Sequence, residues 1–146
     1  MTKQLNKKGT SLVELIAVII IMGIIAGIAI PTTIAVINRQ KRNAAKSSAQ
    51  NVYSAAQTAL LEAATGETVD GVEADEREDI AIYKTTVSAL VENGELEKNP
   101  FSTDVEFVLW TDGAKKNKVE PTGESFVVNT ITLYWNADCN EFSLHC

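Results

Sequence analysis

The chain has 146 residues, 45% of them hydrophobic, and a formal charge of -6. That length holds one ordinary domain, and the acidic balance argues against a nucleic-acid-binding surface. The average conceals an uneven distribution, because residues 15 to 38 carry no charged side chain and supply much of the apolar total.

Residues 1 to 9 read as a basic leader. It holds Lys3, Lys7 and Lys8 and no acid, so a chain beginning at Thr10 stands at -9 rather than -6. Residues 10 to 37 follow as one apolar helix. The uncharged run spans roughly 35 Å at about 1.5 Å per residue, enough for a hydrocarbon core of about 30 Å. A secretory signal peptide places a shorter apolar stretch before a small-residue site, and Pro31-Thr32-Thr33-Ile34 is a poor site of that kind. The better cut precedes the apolar run, at Lys7-Lys8-Gly9-Thr10. The leader lysines favour a cytoplasmic N-terminus, whereas Arg39, Lys41, Arg42 and Lys46 pull the other way. Orientation therefore rests on the leader's position and the cut more than on the charge count.

Glu14 is the single acid near the start of this helix. A carboxylate at mid-membrane costs about 2.5 to 3.5 kcal/mol, so it belongs near the interface or beside a cation. Its plainest role is a first-turn acid favoured by the helix dipole, worth about 0.3 to 1 kcal/mol. A cut after Gly9 supplies a sharper one, because the new amine of Thr10 in a neighbouring, staggered copy then becomes a partner. Gly23, Gly27 and Pro31 fall four residues apart on roughly one stripe. Small residues there permit close helix approach and the proline removes a backbone hydrogen bond, although ordinary membrane-helix usage accounts for them as well.

Lys7-Lys8-Gly9-Thr10-Ser11-Leu12-Val13-Glu14-Leu15-Ile16, with the apolar run and Pro31 seventeen residues after the acid, resembles the processing motif of type IV pilins and pseudopilins. The resemblance covers residues 1 to about 40 closely and the remainder only as general architecture. It implies that a membrane-embedded prepilin peptidase cuts between Gly9 and Thr10 and methylates the Thr10 amine. It also implies that Glu14 guides the incoming subunit and neutralises an N-terminal amine in the filament core. The family most often has Phe or Met where this chain has Thr10. The fold implied is α+β, with a long N-terminal helix packed on a small antiparallel sheet. The partners implied are other pilin subunits, membrane lipid before assembly, and the pilus assembly platform with its ATPase; nucleic acid joins them only for a DNA-uptake filament. The location implied is a single-pass plasma-membrane protein first and a cell-surface filament afterwards.

Residues 38 to 146 form the expected globular part. Ala45, Ala49, Val52, Ala56, Ala59, Leu60 and Ala63 recur every three to four residues, which extends the helix to about Thr65 with Gly66 as its stop. From Thr10 this makes a helix of roughly 80 Å. The mostly alanine stripe suits close approach by a sheet, and coiled-coil pairing is the competing use. Residues 66 to 104 read as a loop and a short helix. Positions 67 to 79 hold seven acids against Arg77, a solvated loop without the order of a calcium-binding loop. A second helix is expected over residues 80 to 92, ended by Asn93-Gly94, with a turn at Asn99-Pro100.

Residues 105 to 146 read as the sheet. Val105, Phe107 and Leu109 alternate with Glu106, Val108 and Trp110, and a second strand carries Val127, Ile131, Leu133 and Trp135. Asp112-Gly113 and Pro121-Thr122-Gly123 supply turns, and a last strand covers residues 142 to 145. Cys139 and Cys146 lie outside the cell on this reading, where a disulfide is permitted. One continuous strand over residues 140 to 146 would set the two sulfurs roughly 20 Å apart at about 3.3 Å per residue, so a bridge requires a bend near Asn140.

No arrangement of catalytic residues is apparent. His145 is the sole histidine, with no nucleophile set around it, and with Cys146 it makes only two terminal ligands for a metal. No cofactor is implied, and the chain is not expected to be an enzyme. Three functions remain: a pilus subunit, a pseudopilin of a secretion or competence machine, and a membrane-tethered binding domain that never polymerises. Glu14 and the glycine cut argue against the tether. The terminal cysteine pair resembles many pilins, and the acidic calcium-binding loop of the main secretion pseudopilins is not evident, which favours the pilus.

Overall fold

The computed structural model describes residues 5–77, 80–112 and 115–145, and for 5–10, 76, 77 and 80 it describes the backbone only. Helix α1 runs Leu5–Ala64. By contacts the chain divides into two units, Met1–Gln40 and Lys41–Cys146, a boundary three residues beyond the one expected from the end of the apolar run. In the first unit every residue from 11 to 40 is exposed, Pro31 included. Thr32 and Thr33 lie in the same helix with their hydroxyls returned to the backbone: Thr32 donates to Ala29 O at 2.9 Å and Thr33 to Ala29 O at 2.8 Å. Their polar groups are thus satisfied within the helix, as an apolar surrounding requires.

The second unit is built on the last turns of α1. The alanine stripe is buried as its spacing implies, with Ala45, Ala49, Val52, Ala56, Ala59, Leu60 and Ala63 all inside. Thr65 and Gly66 close the helix through Thr65 N–H to Leu61 O and Gly66 N–H to Ala63 O, with Gly66 at φ +98°. A left-handed residue here favours glycine because it has no Cβ.

Two antiparallel sheets pack on that stripe, rather than the single small sheet expected. The first has the order β1 (Val72–Arg77), β2 (Ile80–Thr86), β3 (Glu106–Trp110), β4 (Val119–Pro121). The second has the order β5 (Phe126–Val128), β6 (Ile131–Asn136), β7 (Glu141–Ser143). An isolated bridge between Phe101 and Val128 ties the connecting segment to the second sheet.

Three expectations are corrected here. The acidic stretch expected as a solvated loop contains β1, paired with β2 from Val72↔Thr85 onward. The helix expected over residues 80 to 92 is strand in its first half, and α2 covers only Val87–Glu92. Ile80, Ile82, Tyr83, Thr85 and Thr86 are β-branched or aromatic residues that fit a pleated surface, and pairing on both edges of β2 holds them extended. The strand expected through residues 127 to 135 is a hairpin, β5 and β6, turned at Asn129 and Thr130, which sit at φ +47° and +71°.

Thr86 ends β2 and caps α2, its hydroxyl accepting from Ala89 N–H at 3.2 Å. Asp104 satisfies a second first-turn donor by accepting from Ser88 N–H at 2.9 Å. Asn93 caps the other end and Gly94 follows at φ +81°, where the stop was expected. Gly71, at φ +78°, lies against α2 so closely that a Cβ there would come within 2.9 Å of Ala89 Cβ.

The core joins the α1 stripe to both sheets. Phe142 is fully buried and meets Phe126 edge-on with ring centroids 5.3 Å apart, and Trp135 at 5.1 Å. Tyr53 reaches from α1 to Trp135 at 4.8 Å and to Phe107 at 6.4 Å. These rings supply the volume that alanine lacks, and offset or edge-on pairs add about 0.5–1.5 kcal/mol each beyond area burial.

Candidate functional site

Gly9 and Thr10 lie in α1, where only their backbone is described. Glu14 follows one turn later, exposed. Around and beyond it the apolar side chains point to every side: Leu12, Val13, Leu15, Ile16, Val18 and Ile19 are 48–66% exposed, and none of the most apolar window is buried. A helix whose described side chains are apolar and exposed all round is one that hydrocarbon or other helices would cover. By length and composition this helix can cross a membrane.

Gly23 and Gly27 face open space, with nothing inside 4 Å of a Cβ built on either. Among the described residues nothing lies close enough to require glycine at these positions. Their helix surface is low, which lets a second backbone approach. Pro31 sits inside α1 without a backbone donor for the turn before it.

Charge changes abruptly where the apolar run ends. Of the ten bases between Thr10 and Cys146, four fall at Arg39, Lys41, Arg42 and Lys46. Lys46 is paired with Glu141 of β7 at 3.2 Å. One turn on, Gln50 donates to Asn140 O at 3.3 Å and accepts from Phe142 N–H at 3.4 Å, so the edge of β7 finds partners on α1. Arg42 opens onto a recess of about 280 Å³ that it shares with Thr130, Ile131, Thr132, Leu144 and His145. Sequence reasoning noted the bases but not this recess, because the β5–β6 turn that forms it was hidden inside an expected strand.

Cys139 lies exposed in the turn between β6 and β7. Asn136 shapes that turn by accepting from Asp138 N–H at 3.0 Å and Cys139 N–H at 3.3 Å, and Asn140 adopts φ +52°. The bend that a bridge would need is therefore present at Asn140. Cys146, the other half of the expected pair, lies outside the described residues. His145 is exposed, and its backbone carbonyl accepts from the Ser143 hydroxyl.

No protein-family model, curated protein or solved structure matches this chain.

Proposed function

We propose that the chain is a structural subunit of a type IV pilus, one that polymerises through its N-terminal helix after the leader is removed. What supports this reading is the sequence Lys7-Lys8-Gly9-Thr10 followed by Glu14, at the head of an apolar helix whose described side chains are exposed on every side. A helix that only anchored a domain would have no use for a carboxylate inside its first turns, where hydrocarbon makes it costly. Cleavage after Gly9 creates the Thr10 amine. When two such helices lie side by side in hydrocarbon, the carboxylate of one and the amine of the other compensate each other only at one stagger. The charge pair then sets the register that apolar packing alone leaves free. Gly23 and Gly27 allow close approach along the same helix. The second unit has its own core.

The test is mass spectrometry of the mature N-terminus combined with imaging of filaments from wild type and Glu14→Ala. The expected result is loss of residues 1 to 9, a methylated Thr10 amine and no incorporation of the variant. Assembled subunits that retain the segment from Met1 to Gly9 would overturn the reading. Filament length in the same images separates a long surface pilus from the short filament of a pseudopilin.

A further inference from the structure

The recess beside Arg42, on the second unit, is lined by cationic and hydroxyl-bearing residues without the acids that line the recess at Lys84, Thr85 and Thr86. Arg42 supplies a guanidinium, Thr130 and Thr132 supply hydroxyls, and His145 supplies an imidazole, with Ile131 and Leu144 as apolar wall. Among the described residues no Asp or Glu lines it, in a chain that carries 19 Asp and Glu against 13 Lys and Arg. A planar guanidinium beside hydroxyl donors matches a phosphate, which offers several acceptor oxygens and a negative charge.

Where the recess lies along the chain narrows the ligand. Arg42 stands four residues beyond Asn38, the end of the uncharged run. Four residues reach at most about 14 Å, however the two units are arranged. With the run in hydrocarbon, that reach keeps Arg42 in or beside the headgroup layer, and its long side chain extends toward the polar boundary. Arg39 and Lys41, in the same stretch, add to the attraction for an anionic surface. We propose that this recess binds the headgroup phosphate of an anionic phospholipid while the subunit is still in the membrane. The proposal rests on the membrane-spanning part of the reading above and not on polymerisation.

His145 is the sole histidine, so its imidazole signals in NMR report on the recess without ambiguity. The full chain is inserted at one copy per phosphatidylcholine nanodisc, and phosphatidylglycerol replaces the neutral lipid stepwise. Wild type should give a saturable shift of the His145 signals, and Arg42→Gln should need about tenfold more phosphatidylglycerol for the same shift. Arg42 is exposed, so the substitution leaves the core intact. Equal responses from wild type and variant would overturn the proposal. So would saturation by inorganic phosphate with none by the lipid, which would make the ligand a free anion. A shift that follows protein concentration in neutral lipid would make the recess a contact between copies, and would overturn it too. Because each disc holds one copy, failure to assemble filaments leaves this titration unaffected, whereas failure to insert defeats the membrane reading itself.

Discussion

Tyr53 shows how one side chain ties the helix to the sheets and what that costs at high pH. The residue is 5% exposed and its ring packs on Trp135 and Phe107. Burial holds the phenol above its ordinary value of 10.0, and the Glu120 carboxylate pushes it the same way. The unfolded chain therefore loses this proton before the folded one does. The Tyr53 contribution to stability is undiminished below about pH 10 and falls as pH rises through the folded value. Tyr53→Phe keeps the ring contacts and removes the proton. Denaturant midpoints measured from pH 8 to 11 should decline less steeply in the variant, and identical slopes would exclude Tyr53 as the cause. Trp135 Nε1, nearby, is buried with no hydrogen-bond partner among the described residues. Neither feature was legible in the sequence, because both depend on what three separate elements bring to one place. Glu14 was legible, since an acid beside an uncharged run stands out without any structure.

At the scale of elements, the alanine stripe of α1 was read correctly and its consequence can be tested. Ala49 and Ala56 are fully buried against the sheets, so a larger side chain has no space to enter. Ala49→Leu should destabilise the second unit by about 1–3 kcal/mol, read as a lower urea midpoint at unchanged slope. A neutral result would mean that the sheets stand off from the helix. Lys46 offers a useful contrast, because its pair with Glu141 is about 40% exposed on both sides and such pairs contribute little. The end signals of both helices, Gly66 and Asn93-Gly94, were legible because they are local chemistry. Strands were less so. β1 is an acidic segment held by β2, and β4 is three residues ending at Pro121, too short for an alternation to register. β3 buries Phe107, Val108 and Leu109 in succession, so its two faces are not the inside and outside that alternation implied.

The chain divides into two units, one holding a helix apolar enough to cross a membrane and one holding the packed core, and the two should respond to different substitutions. Ile24→Asp puts a carboxylate into the uncharged run at a site 59% exposed, where no core contact is lost. Membrane insertion should weaken by about 2.5 to 3.5 kcal/mol, seen as release of the variant from membranes on alkaline extraction. The unfolding midpoint of the second unit should not move, because none of its core residues lies before Ala45. A shift in that midpoint would mean that the two units share stability. The apolar run, the Gly9-Thr10 and Glu14 motif, the alanine stripe and both helix stops were determined by the sequence itself. Composition, helical period and end residues act through near neighbours in the chain and need no distant partner. The two sheets, the β5–β6 turn and the recess at Arg42 were decided only by the tertiary structure. A strand exists through hydrogen bonds to residues far away in sequence, and a recess exists only where such elements meet.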